Sequence, residues 1–333
     1  MMRGTLFGIA LAIAVCAIFV VIGKQSLAPE TPAISLRQAR ADHKTVLIKR
    51  VAYPGEAELP PKGDLERVKY PSPVGNLAAY ISPDPGDGKK RPAIIWKFGG
   101  HSNGIGDTAW EKATPDNNQS ASTFRKAGIV MMYPSVRGGN GNPGLLESFY
   151  GEVDDLLAAL DYLAAQPYVD PNRIYLGGHS TGGTLALLAA EMSDRFRAVF
   201  SFGPVGRVTE HNTRNFPYNL NDEQENRLRS PIYYLSDIRT PTFVIEGDNG
   251  NIRSLHELKR YNRSALVQFI EVEDKDHFSV LAPMNDLLAQ KILSDISDSP
   301  NIKITTAEVR NAIEAVDRRA RIDLSPGISS KNK

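Results

Sequence analysis

One stretch of this chain carries an obvious capacity for chemistry: Gly178-His179-Ser180-Thr181-Gly182-Gly183. A short apolar run, 173–177, leads into it, and a helix-forming stretch, 181–192, follows. Strand, sharp turn and helix are the setting in which a serine hydroxyl is lifted above a sheet edge for nucleophilic attack. Small residues two before and two after the serine are needed, because side chains there would collide with the turn. The N-terminus of the following helix directs partial positive charge at the place where an oxyanion would develop.

A serine nucleophile needs a base. For a serine so placed, the acid and then the histidine follow along the chain. Only His256 and His277 come after the long irregular stretch 203–240. His256 falls inside a helix-forming segment. His277 falls in the acidic loop Glu273-Asp274-Lys275-Asp276-His277-Phe278, between the last apolar strand and the last helix of the sheet. It is the expected base. The acid is expected in Glu246-Gly247-Asp248-Asn249-Gly250-Asn251, with Asp248 preferred and Glu246 the alternative. Asp276 is a poor candidate, since adjacent residues rarely orient each other's side chains. Oxyanion donors are expected from the N–H of Thr181 and from Gly100 or His101, after the run 93–98.

Other polar residues suit structural roles. His179 should pack under the turn. Glu152, Asp154 and Asp155 should be solvated or paired, and the glycine-rich loop from Arg137 to Gly141 suits a structural role as well as it suits substrate contact. His43 and His101 lack a second ligand at zinc-like spacing, so no metal and no cofactor are expected.

The elements around these residues alternate. Segments 68–70 and 77–81 read as an antiparallel pair. Runs 93–98, 129–133, 173–177, 198–202, 241–245 and 267–270 read as strands, the more continuous of them buried on both faces. Helices are expected over 119–127, 147–166, 181–192, 255–261, 285–296 and 305–321. The class is α/β, a mostly parallel sheet with helices on both faces.

Residues 4–23 form 20 positions without a charge, bracketed by Arg3 and Lys24. A helix of that length spans about 30 Å, enough to cross a bilayer. Residues 1–28 are therefore expected to be a transmembrane anchor or signal segment, with the catalytic domain extracytoplasmic. Residues 29–66, rich in proline and charge, read as a tether. Residues 67–298 form the catalytic domain with a cap-like insertion at 203–240, and 299–333 a terminal helix and tail. The 39 basic and 38 acidic residues leave a formal net charge of +1, which excludes an electrostatic case for nucleic acid. A single cysteine excludes a disulfide framework.

The chain resembles the α/β-hydrolase superfamily and, within it, the prolyl-oligopeptidase-like branch of dipeptidyl and acylaminoacyl peptidases. The resemblance rests on Tyr70-Pro71-Ser72, Phe98-Gly99-Gly100, the run from Tyr133 to Gly138, Gly178 to Gly183, Arg229-Ser230-Pro231-Ile232 and Asp276-His277-Phe278. It covers roughly residues 68 to 295. It implies a serine hydrolase that cleaves a small peptide or an acyl ester through an acyl-enzyme. The sequence departs from the branch in two ways. No repeats precede the hydrolase pattern, so the substrate-filtering β-propeller has no counterpart in the 60 or so residues before it. The family's acid stands three residues after the strand-ending glycine, which here falls on Gly250. The rival reading from another class is a non-catalytic binding protein that retains the fold.

Overall fold

The computed structural model describes residues 32–324, apart from residue 113. In chain order its main elements are α1 (Leu36–Ala41), β1 (Glu66–Ser72), β2 (Gly75–Ile81), β3 (Arg91–Lys97), α2 (Ser122–Lys126), β4 (Val130–Pro134), α3 (Gly151–Ala164), β5 (Val169–His179), α4 (Thr181–Met192), β6 (Val199–Phe202), α5 (Glu223–Arg227), β7 (Thr242–Gly247), α6 (Ile252–Tyr261), β8 (Val267–Val272), α7 (Leu281–Ser294) and α8 (Thr306–Leu324). The eight strands make one sheet in the order β1-β2-β4-β3-β5-β6-β7-β8. The β1–β2 and β2–β4 pairings are antiparallel. All the others are parallel.

Alternation along each strand divides the core. Ala93 and Ile95 of β3 pack with Leu156, Leu160, Leu185 and Leu188 of α3 and α4. Ile94 and Trp96 face the opposite layer, with Phe124, Met284 and Leu288 of α2 and α7. α8 extends that layer through buried Val309 and Val316. The chain leaves β3 for β4 on one side and returns to β5 on the other. Such a switch of direction opens a crevice beyond the carboxyl ends of the strands, and β3 and β5 end there, at Lys97 and His179.

The helices expected at 181–192 and 305–321 form within a few residues of those bounds. The helix expected at 119–127 shrinks to Ser122–Lys126. Asn118 Oδ1 accepts from the N–H and hydroxyl of Ser122, and Ala121 is held at φ 48°. This local side-chain turn competes with an earlier helix start.

The segment read as a tether is packed from α1 onward. Leu36 is fully buried. The Arg40 guanidinium donates to the carbonyls of Phe149, Tyr150 and Leu228 and lies 4.8 Å over the Tyr150 ring. Leu47 bridges to Tyr218, and Tyr53 exchanges backbone hydrogen bonds with Gly138 and Gly141. Arg40 thus serves as a donor to buried carbonyls rather than as solvated surface, which composition does not reveal. The apolar stretch 4–23 lies outside the described residues. Among those described, no helix is long and apolar enough to cross a membrane.

Glu191 of α4 is 4% exposed, and neither of its carboxylate oxygens has a partner. Burial raises its pKa well above the usual value; Asp237 adds to the rise and Arg40 opposes it. The folded state therefore keeps a proton that the unfolded chain loses. Its contribution is fully present below the unfolded pKa, near 4.5, and is lost as pH rises toward the folded pKa. Glu191→Gln should melt at least ~2–4 °C higher than wild type at pH 8, about 1 kcal/mol for a domain of this size. The difference should vanish near pH 4. Calorimetry at the two pH values checks this, and equal melting at pH 8 would contradict it.

Candidate active site

β5 delivers the chain to Ser180, whose backbone stands at φ 59° and ψ −119°. Such a conformation is costly for a residue with a Cβ and persists only where its surroundings hold it. Here the Ser180 N–H donates to the Phe202 carbonyl at 2.8 Å, and the Ser180 carbonyl accepts from the Thr184 N–H at 3.0 Å. A methyl on Gly178 would lie 2.3 Å from the Gly182 carbonyl oxygen, and one on Gly182 2.2 Å from that of Lys97. Both are backbone contacts that cannot give way. The first turn of α4 has no side-chain cap, so its leading N–H groups are free to serve the nucleophile.

The loop after β3 lies against the turn. A Cβ on Gly99 would stand 3.0 Å from that of Ser180. The Thr181 hydroxyl donates to the Gly100 carbonyl at 2.6 Å, which ties the two candidate sources of oxyanion donors together. His101 is partly buried and meets His211 and Phe216 edge-on.

His277 Nδ1 lies 2.8 Å from Glu246 Oε2. Glu246 is fully buried at the end of β7, and its second oxygen accepts the Gly247 N–H at 2.8 Å. A proton on Nδ1, assigned from this contact, leaves Nε2 as the ring nitrogen available to Ser180. Asp248, the preferred acid, is not at the histidine. Its side chain is exposed and accepts only from Asn249, while its N–H continues the ladder to Val272. The carboxylate beside His277 is that of Glu246, the alternative.

Gly250 explains the exchange. A Cβ there would lie 2.4 Å from Glu246 Oε1. The position that supplies the acid in the resembling family is a glycine here, and a glutamate reaching from the strand fills its space. The sequence carried that signal as a pair, a glycine at 250 with a carboxylate at 246. Gly203, which sequence reasoning did not single out, makes the second allowance. Its φ is +56°, and a Cβ would lie 2.3 Å from His277 Cε1 and 2.6 Å from Glu246 Oε2.

The remaining histidines have other partners. His179 is buried, its Nε2 is 2.8 Å from the His277 carbonyl, and burial, then His277, push it down to about 3. It stays neutral and donates to the loop that carries His277. His256 pairs with Glu271 at 3.0 Å, away from this site. Asp276 accepts from Phe278 and Ser279 within its own loop. Of the helical acids, Asp155 holds Arg137 through two contacts of 2.9 and 3.0 Å, so the loop from Arg137 is braced structure. Among the described residues no group of three ligating side chains could hold a metal.

Residues 115–261 match the prolyl oligopeptidase family. That segment is similar to the prolyl oligopeptidase family over less than half of the chain. Over 92 residues the chain is 34% identical to a polyketide transferase, claH, of Penicillium crustosum, covering 27% of this chain and 30% of that protein. It is 28% identical over 140 residues to the uncharacterized peptidase YtmA of Bacillus subtilis, covering 38% of this chain and 53% of that one. The chain thus spans about half or less of these curated relatives. Among solved structures, a puromycin-hydrolyzing peptidase of Mycobacterium tuberculosis superposes with a TM-score of 0.57 at 17% identity, over 74% of this chain and 41% of that one. This last likeness establishes the α/β-hydrolase fold.

Glu246→Gln should slow reaction of Ser180 with a fluorophosphonate by two or more orders of magnitude, since the histidine loses its orienting charge. Asp248→Asn should react at the wild-type rate. The reverse ranking would return the role to Asp248. Gly203→Ala should likewise lose reactivity while remaining folded by circular dichroism, because its methyl claims the place of the imidazole.

Proposed function

We propose that the chain is a serine hydrolase that cleaves an amide bond in a small peptide through an acyl-enzyme. The observation that carries this reading is the His277–Glu246 pair, formed by the loop after β8 and the end of β7 at the same edge of the sheet as the Ser180 turn. Ser180 Oγ attacks the carbonyl carbon as its proton passes to His277 Nε2, and Glu246 stabilises the imidazolium. Thr181 N–H and the Gly100–His101 loop receive the oxyanion. The tetrahedral intermediate collapses, the C–N bond breaks, and His277 returns its proton to the departing amine. Water then attacks the acyl-enzyme, with His277 again accepting and returning a proton.

The family match and the peptidase YtmA support the amide reading. The polyketide transferase supports a second one, acyl transfer or hydrolysis at an ester by the same residues. The uncharged stretch 4–23 supports a membrane-tethered form with the catalytic domain outside the cytoplasm.

A fluorophosphonate probe and a matched pair of substrates, a p-nitroanilide and a p-nitrophenyl ester of one acyl group, test this on the full chain. Wild type should label and should cleave both. Ser180→Ala should do neither, and His277→Ala should lose about four or more orders of magnitude in kcat. Cleavage of the ester alone would replace the peptidase by the esterase reading. Folded wild type that takes no label would favour the non-catalytic binding protein.

A further inference from the structure

A small cavity opens beside the candidate oxyanion donors, with Thr181 and Gly100 in its wall. Its position in the sheet tells which part of a substrate it meets. The base comes from the loop after β8 and the acid from the end of β7, on the β6 side of β5. The cavity lies on the other side, at the end of β3 and against the start of α3. His277 must protonate the leaving atom, so the leaving group lies with it. The acyl substituent then points toward β3 and the mouth of this cavity. The inference therefore rests on the hydrolase reading above.

Leu146, Phe149, Leu185 and Phe216 line part of the cavity, and beside them stand three polar side chains with groups that the rest of the structure leaves unused. Lys97 is 6% exposed, and its ammonium makes no hydrogen bond or ion pair among the described residues. It follows Ala93 and Ile95 on the α3 face of β3, at a position that would ordinarily be apolar. Glu152 is 1% exposed. Its Oε1 accepts from Asn103 Nδ2 and from the N–H groups of Glu147 and Ser148, at 3.0, 2.7 and 3.0 Å. Its Oε2 has no partner, and neither has the buried Ser148 Oγ. An unpaired buried polar atom is costly and is rare without a purpose. Here a carboxylate oxygen and a hydroxyl, which can both donate and accept, are left open beside the Lys97 side chain around one space.

Size and charge limit what fills that space. The room is about 20 Å³, enough for one water-sized group. The floor balances one ammonium against one carboxylate. A cation would meet Lys97, and an anion would meet Glu152, each with a net buried charge. A hydroxyl satisfies both, accepting from Lys97 and donating to Glu152 Oε2. Burial pushes Lys97 down to about 8, opposed by the charge of Glu152, and burial raises Glu152, opposed by Arg137 and reinforced by Glu147. We propose that Lys97, Glu152 and Ser148 form an acyl-side specificity subsite for a neutral hydroxyl carried by the acyl part of the substrate.

The test compares kcat/KM for four p-nitrophenyl esters of similar length: butyrate, 3-hydroxybutyrate, hemisuccinate and 3-aminopropionate. Wild type should favour 3-hydroxybutyrate over butyrate by ~10–100-fold, the usual worth of hydrogen bonds to charged groups. Both charged esters should fall below 3-hydroxybutyrate. Glu152→Gln keeps the oxygen that Asn103, Glu147 and Ser148 use but turns the free acceptor into a donor. Lys97→Met keeps the buried stem. In each the ratio of hydroxylated to plain ester should drop toward one, a change that a loss of folded enzyme alone would not produce. A wild-type ratio of one or less, a preference for either charged ester, or an unchanged ratio in both variants overturns the subsite while leaving the hydrolase standing. No turnover of any ester, with no fluorophosphonate label on Ser180, overturns the hydrolase reading and the subsite with it.

Discussion

The pairing of β3 with β5 is the constraint on which the site depends. Its last register positions, Trp96 with Gly177 and Lys97 with Gly178, bring two strand ends to one edge. The Lys97 carbonyl comes so close to Gly182 that no Cβ fits between them. That approach holds Ser180 at a positive φ and places the loop from Gly99 beside the hydroxyl. It also turns the Lys97 side chain beneath the same edge, facing α3. One backbone contact thus sets Ser180, the neighbouring loop from Gly99 and the Lys97 side of the cavity. Shifting the strands by one residue would exchange the faces of every side chain on β3 and put Trp96 where Lys97 lies.

On the far side of Ser180 the arrangement follows from volume. The His277–Glu246 pair is buried at one end and partly open at the other. The burial suits its role, because a carboxylate away from water acts more strongly on an imidazolium. Space for it comes from Gly203, just past β6, and from Gly250, in the loop after β7. A carboxylate on a longer side chain, starting inside the strand, reaches the point that a shorter acid on the loop would reach from position 250. The exchange preserves the geometry at the histidine while moving the residue that supplies it by four positions.

These two halves differ in how far the sequence discloses them. Ser180 and its glycines are contiguous, and the strand and helix that confirm the motif flank it directly, so the nucleophile is legible. His277 is legible by its place between the last strand and the last helix of the sheet. The acid is not, because the choice between Glu246 and Asp248 depends on which side chain points back across the sheet edge. The strand periodicity continues through Gly247, and Asp248 N–H still bonds to Val272, which turns its side chain outward. The parallel sheet was readable from its apolar runs. The packing of residues 36–53 was not, since Arg40 and Tyr53 find partners far away in sequence that composition cannot anticipate.

That packed segment bears on the site as well. Arg40 bonds the carbonyls of Phe149 and Tyr150, beside the start of α3, and that of Leu228 in the cap-like stretch. Arg229, fully buried, bonds the Glu147 carbonyl, pairs with Glu225 and reaches Thr45. The turn from Glu147 to Gly151, which carries Ser148 at φ 51°, is therefore clamped from the N-terminal strap and from the cap at once. Strain of that kind persists only where surrounding structure over-determines it, and two buried guanidiniums do so here. The cavity wall is thereby held rigid by groups that never touch it. A rigid wall is what a subsite discriminating a single hydroxyl requires, because a pocket that could relax would let its own polar atoms find one another and lose its need for the ligand.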